Sequence, residues 1–350
     1  MTRPRASQGS QDSPSAVAPV STDALAAVAT RTLAWVRGSW YWGDAIALDG
    51  LIEALPLLPP DCAEEVTATL ALEAEKWAAS APDSWDDALA PGRALAALLE
   101  VERITAAPAA RALEAFLRAP TTASGVPLLR PHVPEWRDLV WVDSLYHLPS
   151  GIARLGEGLG RPELRSTALR VAAATLEPLR LERGLAHCYD GGLGKNNGIP
   201  WSRGQGWALL GLLDLRSTVG PDSALDDSIA AVMDALVATQ APDGHWPTVL
   251  GQKDAATETS TAAFFVAAAL HPALPASSVP PSEVVHLASS AVLAVVGDDG
   301  VYRGVSHDTH ARWELDLYLH PQTRASPWGQ GSALRALVAL GRQNEGRHAI

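Results

Sequence analysis

Three short clusters carry the residues best equipped for chemistry. Trp141-Val142-Asp143 sets a carboxylic acid beside an indole where a helix is predicted to start. Aromatic walls desolvate a carboxylate, which raises its pKa and keeps a proton available near neutral pH. The partial positive charge of a helix N-terminus acts in the opposite sense. Position alone therefore leaves Asp143 open as a proton donor or as an ordinary helix cap. Asp86-Asp87 is a second carboxylate pair before a predicted helix. Set across one hollow from Asp143, Asp87 would complete the paired carboxyls used in acid–base chemistry on sugars; capping and solvated charge are the plainer reading. In Trp201-Ser202-Arg203-Gly204-Gln205-Gly206-Trp207, two glycines and two tryptophans at a helix start run against helix propensity. Such breaches of local preference tend to mark functional sites. Arg203 and the free N–H groups of that helix end suit an anion such as a uronate carboxylate, with a buried structural ion pair as the alternative.

Other side chains fit around these. His187 and Asp190 lie in the loop leading to the Arg203 helix, within reach of sugar hydroxyls if that loop lines a pocket. His307-Asp308-Thr309-His310 has metal-like residue types but no third cluster at ligand spacing, and it reads as an exposed loop pair. No GxSxG elbow, GxxxxGK loop or strand-linked GxGxxG occurs, which disfavours serine hydrolases, nucleotide hydrolases and Rossmann enzymes. Tryptophan is the compositional oddity, at 12 against 3 Phe and 5 Tyr. An indole offers a flat apolar face and one N–H, which suits a sugar's C–H face and hydroxyls as well as it suits a core.

The elements that must position these groups are helical. Apolar residues recur at three- and four-residue steps, which predicts helices over 23–37, 44–57, 62–80, 88–103, 108–118, 142–156, 162–180, 203–219, 222–239, 257–270, 281–296 and 328–343. Short strand-like runs at 244–250 and 300–305 read as hairpins in loops. Every second helix opens on an aromatic or polar cluster, among them Trp40–Asp44, Trp85–Asp87, Trp141–Asp143, Trp201–Trp207, Thr257–Ser260 and Trp328–Gly331. This alternation is a weak internal repeat. It predicts an all-α (α/α)6 barrel of six helical hairpins, in which an inner ring aims its N-termini into one shared pocket. Trp42 and Trp328, in the first and last clusters, are then candidates for substrate contact. The long loops 119–140, 181–202 and 297–327 would wall the same mouth.

Composition bounds the partners. Hydrophobic residues reach 47%, charged residues 19%, and the net charge is -12. So acidic a chain argues against a nucleic-acid partner, which needs a basic face. Residues 1–21 read as a disordered tail rich in Ser, Pro and Ala, and 22–345 as one catalytic barrel domain. No segment nears 18 continuous apolar residues, so no membrane span is expected, and the simplest location is the cytoplasm. Two cysteines, Cys62 and Cys188, make neither a disulfide framework nor a zinc site. Oligomeric state is not readable.

Taken in order, the clusters resemble glycoside hydrolase families 88 and 105, the unsaturated glucuronyl and rhamnogalacturonyl hydrolases. The likeness runs through Trp40–Asp44, Asp87 to Gly92, Trp141-Val142-Asp143, His187–Asp190, Trp201–Trp207, Gly244-His245-Trp246 with Glu258-Thr259-Ser260, and Trp328-Gly329-Gln330-Gly331. It implies the helical barrel and an unusual reaction. An Asp protonates C4 of a terminal 4,5-unsaturated uronic acid, water adds at C5, and the hemiketal collapses to release the neighbouring sugar of an oligosaccharide. No cofactor or metal is implied. The acid/base Asp falls on Asp143, the second carboxylate on Asp87, and pocket positions on Trp141, His187, Arg203 and Trp207. Tyr189, Ser202 and Gln205 stand where those families often have Trp, Ala and Asn, and the longer Gln205 arm implies a different pocket depth. A conventional glycosidase, an epimerase or a lyase on the same barrel, or a non-catalytic sugar-binding protein, remain the competing readings.

Overall fold

The computed structural model describes residues 19–36, 40–80 and 92–348, with side chains to residue 343. The expected tail (residues 1–18 of it) and the pair Asp86-Asp87 lie outside the described residues. Among the described residues, twelve helices longer than one turn correspond to the predicted twelve. They are α1 (Thr22–Trp35), α2 (Trp42–Ala54), α3 (Pro60–Ser80), α4 (Gly92–Glu100), α5 (Ala106–Leu117), α6 (Ser144–Gly158), α7 (Leu164–Leu179), α8 (Ser202–Val219), α9 (Ser223–Val237), α10 (Thr259–Ala269), α11 (Ser282–Val295) and, after a one-turn α12 (Asp316–Leu319), α13 (Pro327–His348).

Helices α2, α4, α6, α8, α10 and α13 touch in that cyclic order, and α13 closes on α2. The odd-numbered helices α1 to α11 pack outside them. The chain is an (α/α)6 barrel. Sequence separates the two rings. Inner α8 buries every residue from Ser202 to Leu215, as a helix without a solvent face must. Outer α9 buries one stripe, including Leu225, Ile229, Val232 and Leu236, and its N-cap Asp222 accepts from Leu225 N at 3.0 Å. Glycine sets how near inner helices come. A Cβ on Gly211 would lie 2.3 Å from the Leu145 carbonyl oxygen of α6, and one on Gly331 2.3 Å from Ala47 N of α2.

Below the mouth, charged groups from several inner helices meet on the barrel axis. Arg335 of α13 donates to both oxygens of Asp214 of α8, at 3.0 and 2.9 Å, and pairs with Glu53 of α2 at 2.9 Å. Arg93 of α4 also binds Asp214, and Tyr146 of α6 donates to Asp49 of α2 at 2.6 Å. Burial alone would raise the Asp214 carboxyl, but Arg335 and Arg93 hold it well below the usual range.

The strands differ from expectation. The 244–250 run contributes Trp246–Pro247, paired with Thr257–Glu258. The 300–305 run makes only a bridge from Tyr302 to Val296. A three-stranded sheet of β1 (Leu139–Trp141), β2 (Cys188–Asp190) and β3 (Lys195–Asn196) was not foreseen. Its pairing of Trp141 with Cys188 brings two of the long loops together at the mouth.

Candidate active site

Strand β1 runs straight into α6, so Trp141 sits on the strand and Asp143 becomes the N-cap. The carboxyl makes no capping hydrogen bond, although N-capping is the usual duty of Asp there. It is 6% exposed, and its Oδ2 has no hydrogen-bond partner among the described residues. Burial raises its pKa to about 6, against the opposing pull of Arg203, its own backbone N–H and Arg130. Desolvation therefore outweighs the helix end.

Asp143 opens onto a cavity walled by Trp42, Trp141, Trp201, Arg130, His147 and the 308–310 loop. His147 lies one helical turn below Asp143, on the same face of α6. Both of its ring nitrogens are buried without a partner, and burial lowers its pKa to about 3, so the ring is neutral, with one donor and one acceptor. The indole N–H groups of Trp141 and Trp201 are likewise buried and unpartnered among the described residues. Such groups usually find partners. A cluster of them around one hollow is what a hydroxyl-rich ligand would complete.

Behind this wall lies a supporting layer. His187 is fully buried, tilted against Trp201 at 4.3 Å between ring centroids, with Nε2 3.8 Å from Asp143 Oδ2. Burial, Arg203 and His310 drive its pKa well below the usual histidine value. Trp328 stacks on Trp42 at 4.9 Å, and Trp207 meets Trp42 edge-on at 6.5 Å. Arg203 is fully buried. Its Nη1 donates to the carbonyl and hydroxyl oxygens of Ser306 at 2.9 and 2.6 Å, and its Nη2 to His307 O and Thr309 Oγ1 at 3.0 and 3.2 Å. Glu258, also fully buried, stands 3.5 Å away.

A model of glycosyl hydrolase family 88 matches residues 29–343. The chain belongs to that family. Its similarity to the unsaturated rhamnogalacturonyl hydrolase YesR of Bacillus subtilis is 28% identity over 206 residues, covering 57% of this chain and 58% of that protein. A possible family 105 member from Salmonella enterica superposes with a TM-score of 0.82 at 19% identity, over 97% of this chain and 100% of the other. An unsaturated glucuronyl hydrolase from Bacillus sp. GL1 gives a TM-score of 0.69 at 19% identity, over 92% and 96%.

Within this family 88 barrel, the expected site residues fall into three groups. Trp42, Trp141 and Asp143 line the cavity together. His187, Trp207 and Trp328 stand directly behind them. Arg203 is not among the cavity-lining residues: its Nη1 and Nη2 hold the loop at 306–309, and its Nε has no hydrogen-bond partner among the described residues. Asp87 is outside the described residues. Gln205 is buried, and its amide clamps Leu185, accepting from N and donating to O at 2.8 Å each. Sequence reasoning did not single out Arg130, His147, Asp308 or His310 for this cavity. The spacing of four from Asp143 was the available signal for His147. The placement of 119–140 and 297–327 at the mouth was the signal for the others.

No group of three or more His, Cys, Asp or Glu among the described residues has metal-site geometry. Asp308 instead pairs with Arg324 at 2.7 Å and approaches His310 at 3.8 Å. No helix among them is long and apolar enough to cross a membrane.

Proposed function

We propose that this protein removes a terminal 4,5-unsaturated uronic acid from lyase-generated oligosaccharides by hydrating the C4=C5 bond. The observation that carries this reading is Asp143, a buried carboxyl with a free oxygen and a pKa of about 6 at the wall of a tryptophan-lined cavity. Such an acid holds a proton close to the working pH and regains it easily, as one group acting first as acid and then as base requires. Asp143 gives its proton to C4, and the π electrons leave a cation at C5 shared with the ring oxygen. The carboxylate then takes a proton from water as that water bonds to C5. The resulting hemiketal opens and releases the neighbouring sugar with its hydroxyl restored.

Trp42 and Trp141 supply apolar faces to the sugar ring. Arg130 at the wall, beside Thr309 and His310, is assigned the uronate carboxylate, and Arg203 acts from below through its charge and the loop it holds. Asp87 keeps, on its motif alone, the role of second carboxylate. Membership of family 88 and the likeness to the unsaturated rhamnogalacturonyl hydrolase YesR and the Bacillus sp. GL1 unsaturated glucuronyl hydrolase support the same substrate class.

The test is a panel of lyase-generated disaccharides, followed by loss of the ultraviolet absorbance of the double bond. Turnover is expected for at least one of them and for none of their saturated counterparts. Asp143→Asn should abolish it while leaving binding within about tenfold. Cleavage of saturated glycosides, or full activity in that variant, would overturn the assignment; binding without absorbance loss in the native protein would leave a sugar-binding protein.

A further inference from the structure

His187 faces the candidate acid, and which of its nitrogens carries the proton decides what it can offer there. The hydrogen-bond network behind the ring answers this. Asn197 Oδ1 accepts from Ile199 N at 3.2 Å and Cys188 N at 3.5 Å, which fixes the orientation of the amide. Asn197 Nδ2 therefore points the other way. It donates to Arg312 O at 2.8 Å and to Tyr318 Oη at 3.3 Å. Tyr318 Oη also accepts from Arg312 N at 2.9 Å. A phenolic oxygen accepts two hydrogen bonds and donates one, so its accepting capacity is filled. The one proton of Tyr318 has two possible acceptors, His187 Nδ1 at 2.7 Å and Arg312 O at 3.3 Å. The shorter contact is the better bond, and a proton on Nδ1 would ask Tyr318 to accept a third.

We infer that Tyr318 is a positioning residue that holds His187 as the neutral tautomer protonated at Nε2, so that an N–H faces Asp143. Tyr318 is 1% exposed and sits on the one-turn helix α12. That helix is itself held by Thr248, whose Oγ1 donates to Tyr318 O at 2.7 Å, and by Ala256 N, which donates to Leu319 O at 2.6 Å. The 3.8 Å between His187 Nε2 and Asp143 Oδ2 is too long for a hydrogen bond. Both atoms are closed to solvent in the resting protein, so the N–H acts on the carboxyl through its dipole. Under the proposed reaction, on which this second step rests, Asp143 becomes a carboxylate once its proton has gone to C4, and the Nε2–H edge stabilises that charge. In the opposite tautomer a bare nitrogen would face the carboxylate and oppose it.

The tautomer is read on the resting protein by two-bond 1H–15N correlation after 15N-histidine labelling, with His187→Gln identifying the signal among the 10 histidines. The native protein should show His187 protonated at Nε2 only. Tyr318→Phe should move part or all of that signal to the Nδ1-protonated pattern. It should also lower kcat about tenfold, the worth of one hydrogen bond, with KM changed less than about twofold. A native His187 protonated at Nδ1 overturns the inference, as does a Tyr318→Phe protein with unchanged tautomer and kcat. If that variant does not fold, the native spectrum still decides the tautomer. Failure to turn over any unsaturated uronide would remove the proposed reaction and leave the tautomer standing.

Discussion

Asp143 keeps a carboxyl where water cannot solvate it, and the protein's stability should register this. Its pKa rises from 3.8 unfolded to about 6 folded. The contribution of a group raised in this way is fully present below pH 4 and is lost as pH climbs through 6. The loss amounts to about 3 kcal/mol at 1.36 kcal/mol per unit. Asp143→Asn should therefore raise the melting temperature at pH 8 while leaving it nearly unchanged at pH 4, measured by calorimetry at both. Because the protonated acid starts the proposed reaction, kcat/KM should fall as pH rises past about 6; a profile flat from 5 to 8 would argue for another donor. The sequence showed that Trp141 and a helix start compete over this carboxyl. It could not weigh them, because desolvation depends on walls contributed by Trp42, Trp201 and His187, far away in the chain. His147 escaped notice for the same reason. A histidine on an apolar face has meaning only once both ring nitrogens are seen to lack partners.

At the scale of elements, Arg203 links the start of α8 to the 306–309 segment, and Glu258 completes the link from the start of α10 through Ser306 N at 3.2 Å. Removing one member of a fully buried pair leaves the other uncompensated, at a cost of about 3–5 kcal/mol. Arg203→Ala should thus lower the melting temperature and weaken neutral and anionic ligands alike, because Thr309 and His310 lose their support. Arg130→Ala should raise KM for uronates about tenfold and leave neutral sugars less affected, in keeping with one charge-assisted hydrogen bond. Comparing the two variants by calorimetry and by KM for charged and uncharged sugars separates the roles. Periodicity located the helices to within a few residues, because their apolar residues recur at three- and four-residue steps. It missed β1 to β3 because two- and three-residue strands have no period to detect, and it left two roles open for Arg203 because its acceptors lie about a hundred residues downstream.

For the molecule as a whole, closure depends on small residues and opposite charges meeting where six helices converge. Asp214→Ala would leave Arg335 and Arg93 facing each other on the axis. It should cost about 3–5 kcal/mol, read as a lower denaturant midpoint, with no change in the tautomer of His187. The alternating clusters made the barrel legible from sequence, but nothing in composition announced this ionic axis, since Asp49, Glu53, Arg93, Asp214 and Arg335 look like ordinary surface charges until the helices around them are closed. The starts of α2, α6 and α8, which bring Trp42, Asp143 and Trp201 to the cavity, have one more effect. Each contributes roughly half a positive charge at its leading end, felt only within about one turn, on a chain whose total charge is -12. An approaching uronide is thus repelled from afar and attracted only on arrival. Moderate salt shortens the reach of that outer repulsion to about 10 Å at 0.1 M, so encounter with an anionic sugar should quicken as salt is first added, the reverse of what oppositely charged partners show.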